Sequence, residues 1–138
     1  MNFIIKTHRV GTSYTKPHFF ILNKGLNSGK PQKEPFTNSF VIIFKNEEDA
    51  ESLYYIAYSL WKSKFWEQHL IGSVIPFLRI IDFKNQYNSK ANAMMQEHEQ
   101  HLKNIAALKL LQQSENHFNK NLNLINDLRR VILYRYCK

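Results

Sequence analysis

From Asn88 to the end of the chain there is no proline and no glycine, and Ala, Leu, Gln, Glu, Lys and Asn dominate. Without either backbone breaker, and with His98, His101, Ile105, Leu108 and Leu111 or Gln112 recurring at spacings of three and four, the stretch is predicted to be helical. Phe118, Leu122, Ile125 and Ile132 continue the rhythm, with Arg129 in the slot between the last two. One helix of roughly 45 residues would reach about 70 Å, longer than a small domain needs. It must fold back between Ser114 and Asn121 as a helical hairpin or stand as a coiled-coil arm. Its apolar seam (Ile105, Leu108, Leu111, Phe118, Leu122, Ile125 and Ile132) is too large for an isolated helix to leave in water. A homodimer through this seam is expected, two-fold symmetry being the commonest closed assembly. His98, His101 and Arg129 at inward slots would make it moderate in strength.

The chain before this helix reads as strands around one further helix. Asn2–Arg9 is a first predicted strand, Gly11–Pro17 a turn, and His18–Asn23 a second strand, apolar enough to be buried on both faces. Lys24–Asn38, with three Lys, two Gly and two Pro, is the clearest loop. Phe40–Phe44 is a β-branched and aromatic third strand, expected at the sheet centre. Asn46 then caps a helix over Glu47–His69, with Asp49 at the capping-box spacing and Glu47 and Glu48 where the helix dipole favours negative charge. Ala50, Leu53, Tyr54, Ala57, Leu60, Trp61 and Lys64 form a stripe that Tyr55, Tyr58, Phe65 and Trp66 widen. It reads as a core-facing surface packed across a sheet, the alternative being a stacking platform for bases. Gly72-Ser73 ends the unit, Val74–Ile81 is expected to return to the sheet as a strand, and Asp82 to cap the segment after it. Arg79 is expected to be exposed or paired with an acid, with a phosphate contact as the functional alternative. The fold class is α+β: a small mixed or antiparallel sheet, an aromatic-rich helix across it, and a long C-terminal helix or helical hairpin. The expected boundary falls between a domain over residues 1–85 and a helical arm over 86–138.

Charge is uneven along the chain. The net charge is +8, divided as +6 over residues 1–45, −3 over 46–83 and +5 over 84–138. Two basic blocks flanking an acidic centre suit a polyanionic partner, although solubility alone also explains them. The one cysteine, Cys137, excludes a disulfide within the chain and points to a reducing compartment. No apolar run approaches the roughly 20 residues a bilayer requires, and the N-terminal run is too short for a signal peptide. The expectation is a cytoplasmic protein without a membrane partner.

Catalytic and cofactor motifs fail their tests. Gly25–Pro31 resembles a phosphate loop, yet it is one residue short, has Pro31 where Ser or Thr is required, and does not open a helix. Its glycines and Lys24, Lys30 and Lys33 leave open a contact with a phosphate backbone. His98 and His101 stand one turn apart but lack an identifiable third metal ligand, so they read as polar seam residues. No enzyme activity, cofactor or metal is expected.

Between Pro35 and Phe83 the chain resembles the target-recognition domain of type I restriction-modification specificity subunits. The residues that carry the resemblance are Asn38-Ser39-Phe40-Val41-Ile42, Leu53-Tyr54-Tyr55, Gly72-Ser73-Val74-Ile75-Pro76 and Ile81-Asp82-Phe83, followed by the long helix. The same Gly-Ser-Val-Ile-Pro turn also resembles that of small bacterial proteins with no assigned activity. The resemblance implies a non-catalytic DNA-recognition scaffold, a single half of a specificity subunit, and a place as a restriction-modification subunit. The residues expected to meet DNA are Lys24, Lys30 and Lys33, helped by Arg9 and Lys16, with Arg79 as a further candidate. The alternative is a protein–protein interaction module, a decoy or regulator of restriction machinery.

Overall fold

The computed structural model describes residues 3–137, apart from the side chains at positions 94, 95, 98 and 101. Expectations placed on Asn2 and on the His98 and His101 side chains lie outside the described residues. The chain divides into two compact units, Met1–Ile105 and Ala106–Lys138.

The first unit is built on a four-stranded antiparallel sheet in the order β1-β4-β2-β3. The strands are β1 (Phe3–Thr7), β2 (His18–Leu22), β3 (Pro31–Gln32) and β4 (Ser39–Phe44). The expected central position of the third predicted strand is realised in β4, which lies between β1 and β2. β3 lies inside the stretch read as loop. Pro31 can join the sheet there because β3 is an edge strand with one free side.

Alternation along the strands makes two cores. On one face the register places Phe3 beside Phe44, Ile5 beside Ile42, and Ile21 beside Phe40. This face carries α1 (Glu47–Lys62) and α2 (Ile80–Met95). Phe19 meets Tyr54 edge-on at 5.2 Å, Phe40 meets Phe83 at 5.4 Å, and Phe3 meets Tyr87 at 5.8 Å between ring centroids. Leu53, Ile56 and Ala57 of α1 and Phe83, Tyr87 and Ala91 of α2 are buried here. The other face holds a smaller cluster in which His8 and His18 pack edge-on against Phe20, and Tyr14 accepts or donates at 2.9 Å to His8 Nδ1.

Asn46 caps α1 as expected: the Asp49 amide donates to its Oδ1 at 2.8 Å, and its Nδ2 donates to the Asp49 carboxylate at 3.2 Å. The helix is shorter than the predicted Glu47–His69. It stops at Lys62, Lys64 takes a left-handed φ of 64°, and Phe65–His69 form a 3-10 turn. This reversal carries Trp66 into the core, 5.0 Å from the Phe83 ring.

The predicted strand over Val74–Ile81 does not form. Ile71 and Phe77 exchange backbone hydrogen bonds around the turn, and Leu78 N–H donates to Asn23 O, but Ile80 already opens α2. With Pro76 unable to donate and Gly72 at φ +101°, the segment is a bridged loop rather than a ladder. Asp82 is not the cap of α2 either. Arg79 occupies that position, and its Nε donates to the Asp82 carboxylate at 2.8 Å from an exposed site. The expectation that Arg79 is exposed or paired is met in both respects.

The helical region also differs from its prediction. α2 begins eight residues before Asn88. A bend at Gln96–Glu97, marked by neither proline nor glycine, separates it from α3 (His98–Tyr134). α3 is continuous for 37 residues, about 56 Å, so the fold-back between Ser114 and Asn121 is not formed. It begins in the first unit and makes up nearly all of the second.

Candidate interaction surfaces

The residues that matter on α3 come from its periodicity. Leu111, Phe118, Ile125 and Ile132 repeat every seven positions, with Leu108, Leu122 and Arg129 in the alternate slots. The structure leaves these apolar groups uncovered: Leu111, Phe118, Leu122, Ile125 and Ile132 are between 45% and 65% exposed. Ile105 differs, being buried in the core of the first unit, and Leu108 is half-buried. Leu124, Leu128, Val131, Leu133 and Tyr134, which the seam reading passed over, are exposed as well. Leu128 sits one turn from both Ile125 and Ile132 and widens the seam. A count of apolar residues at every slot, rather than along one stripe, would have found it.

The second surface lies along α1. Tyr54, Tyr58 and Trp61, spaced four and three, form one half-buried aromatic row. Lysines sit on its rings. Lys33 Nζ is 5.5 Å from the Tyr54 centroid, and Lys30 and Lys62 are 5.0 and 5.5 Å from that of Trp61. Such contacts hold ammonium groups beside aromatic faces without neutralising them. A cleft of about 270 Å³ opens next to Trp61, lined by Asn27, Ser28, Lys62, Lys64, Trp66 and Glu67, among others. Burial raises the Tyr54 phenol pKa, and the Tyr55 phenol adds to the shift.

The six residues expected to meet DNA are not all gathered here. Lys30 and Lys33 reach the α1 row, and Lys24 is bridged to Phe77. Arg9 lines a separate hollow with Lys6, Thr12 and Tyr14, and Lys16 lines another with Phe3, Phe44 and Asn92. Arg79 is held by Asp82. The expectation that the Gly25–Pro31 loop offers its amides to phosphate is corrected. Gly25, Ser28, Gly29 and Lys30 N–H groups donate to Pro76, Gly25, Leu22 and Asn27 carbonyls, so the loop spends them on itself and its neighbours.

The same loop and the Gly72–Phe77 turn are tied by Gly25 N–H to Pro76 O at 2.7 Å, and each carries an exposed apolar residue. Leu26 is 84% and Val74 90% exposed. Among the described residues no three His, Cys, Asp or Glu side chains converge as a metal site, and no helix is long and apolar enough to cross a membrane.

The model of a family of unknown function, DUF6943, matches residues 5–135. The chain belongs to DUF6943. The match spans the sheet apart from the first two residues of β1, both packed helices and the whole of α3, so the exposed helix is part of what this DUF6943 member shares with its family model. No curated protein and no solved structure matches the chain.

Proposed function

We propose that this DUF6943 protein is a non-catalytic interaction module that associates with a second copy of itself through α3. The observation that carries this reading is the run of large apolar side chains left in water along Leu111–Ile132. Isolated helices are marginal in water, and exposed apolar stripes at heptad spacing are what helix pairs bury. Light scattering on the native chain across a concentration series tests it: the mass should rise to two chains. Leu122→Asp with Ile125→Asp should return it to one chain while the near-ultraviolet spectrum of the sheet unit is kept. A native chain that stays monomeric at high micromolar concentration overturns the reading.

A second reading, nucleic-acid binding, is favoured by one specific observation: Lys30, Lys33 and Lys62 are stationed on the rings of the Tyr54–Trp61 row. Aromatic faces with interleaved lysines stack bases and neutralise phosphates. The resemblance to restriction specificity subunits makes DNA the first polymer to try. Each phosphate neutralised should add about 0.9 to the slope of log affinity against log salt. Replacing Lys24, Lys30 and Lys33 together by Ala should weaken binding and flatten that slope; unchanged values would exclude this face.

A further inference from the structure

The seam of α3 carries two charges, and their placement specifies more than association. Glu115 and Arg129 occupy seam slots seven residues to either side of Leu122. The apolar rungs repeat the symmetry: Phe118 and Ile125 flank the same centre, as do Leu111 and Ile132. The pattern is a palindrome in chemistry, with apolar opposite apolar and acid opposite base.

We infer that the partner on α3 is a second copy of this chain running antiparallel, with the two-fold axis beside Leu122 and each Glu115 against the partner's Arg129. The inference rests on the proposed self-association and adds its orientation. In a parallel, in-register pair, like slots face each other, so Glu115 would meet Glu115 and Arg129 would meet Arg129 within an apolar seam. Like charges brought together there are repelled and desolvated at once. Reversing one helix brings each Glu115 to within one helical turn of the partner's Arg129, and keeps Phe118, Leu122 and Ile125 packed at the centre. Two identical ion pairs then form about the axis, as an isologous contact requires. Arg129 is exposed, and its Nη1 makes only a long 3.4 Å contact to Asn126, so it can be redirected at small cost. The flanking slots are mostly Gln112, Ser114, Asn119, Asn121 and Asn126, which set no competing charge pattern.

Charge reversal and the chain's own thiol test this together. In the antiparallel pair, Glu115→Arg alone or Arg129→Glu alone replaces attraction by repulsion twice per dimer, and should weaken dimerisation roughly tenfold or more. The double variant Glu115→Arg with Arg129→Glu should restore it. In a parallel pair, each single variant only relocates or exchanges a like-charge contact, and the double variant shows no rescue. Cys137, exposed and free, reports separately. Antiparallel helices crossing beside Leu122 hold the two thiols about 45 Å apart, beyond the roughly 7 Å reach of a disulfide. Mild oxidation should leave the native dimer uncrosslinked, whereas Cys137→Ser with Leu122→Cys should be joined by a short bismaleimide. Rapid Cys137 disulfide formation, or single variants without effect on a chain that is dimeric by light scattering, overturns the antiparallel orientation alone. A single-chain mass at every concentration overturns the association beneath it.

Discussion

The Tyr87 phenol donates a 2.8 Å hydrogen bond to the Leu53 carbonyl, joining α2 to α1 across 34 residues of chain. Tyr87 is fully buried, stacked on Phe83 at 5.2 Å and edge-on to Phe3. Both helices that cover the sheet therefore meet at one polar contact inside an aromatic core. The Leu53 carbonyl is already placed to accept within its own helix, so the phenol is an added donor on a shared acceptor.

Tyr87→Phe should cost about 1 kcal/mol at neutral pH, the net worth of one hydrogen bond with no acceptor left orphaned. The alkaline side distinguishes the variants further. Burial pushes the Tyr87 pKa well above the ordinary tyrosine value, so the fold favours the neutral phenol. That contribution is complete below about pH 10 and is lost as pH rises toward the folded value. The native chain should lose stability faster than Tyr87→Phe above about pH 10, measured by urea unfolding at fixed ionic strength. Parallel curves through that range would contradict the assignment.

Gly29 marks a close approach that no larger residue can occupy. A Cβ built there would overlap Trp66 Cδ1 and lie 2.6 Å from its Cγ, and the backbone has φ +96°. Gly11 supplies the control, with φ +86° and nothing within 4 Å of its Cβ position. Gly11→Ala should cost about 1–2 kcal/mol, the left-handed strain alone. Gly29→Ala adds displacement of a buried indole and should cost about 3 kcal/mol or more. Equal losses in urea unfolding would show that Trp66 yields without cost.

Caps and surface pairs should separate as sharply. Asn46→Ala removes the acceptor of the Asp49 amide and should lose about 1 kcal/mol. Arg79→Ala breaks an exposed ion pair inside one helical turn and should lose at most about 0.5 kcal/mol. Thermal unfolding of the two variants beside the native chain gives the comparison.

These sites differ in how far they were legible in the sequence. Asn46 and Asp49 were readable because a cap is a local pattern of two residues at fixed spacing. The central β4 followed from its β-branched and aromatic composition, the long helix from a three-to-four periodicity, and the α+β class from the two together. Trp66 was readable as part of a stripe, but not its burial by a left-handed Lys64, because nothing in a lysine signals φ 64°. Val74–Ile81 had strand composition, yet Pro76 has no amide to donate and the turn at Gly72 folds the segment on itself, leaving only the bridges of Phe77 to Lys24 and Ile71. The lysine–aromatic face required β3 to lie against α1, a long-range placement that neither segment encodes alone.

Standing without a partner should cost α3 part of its helix. Between Ala106 and Tyr134 there are five Asn, at 116, 119, 121, 123 and 126, and each is a poor helix former. Propensity therefore does not account for 37 continuous helical residues, and burial of the Leu111–Ile132 seam must supply the difference. Helicity in this segment should depend on association. Circular dichroism at 222 nm should fall as the chain is diluted through its dimer dissociation range, by up to about a quarter of the helical signal if the distal half of α3 frays. The near-ultraviolet signal from Trp61, Trp66 and their ring neighbours, which belong to the sheet unit, should hold constant over the same dilution. Leu122→Asp with Ile125→Asp should show the low value at every concentration. A native signal at 222 nm that stays fixed while the mass halves would mean that the helix is stable alone, and that pairing supplies none of its structure.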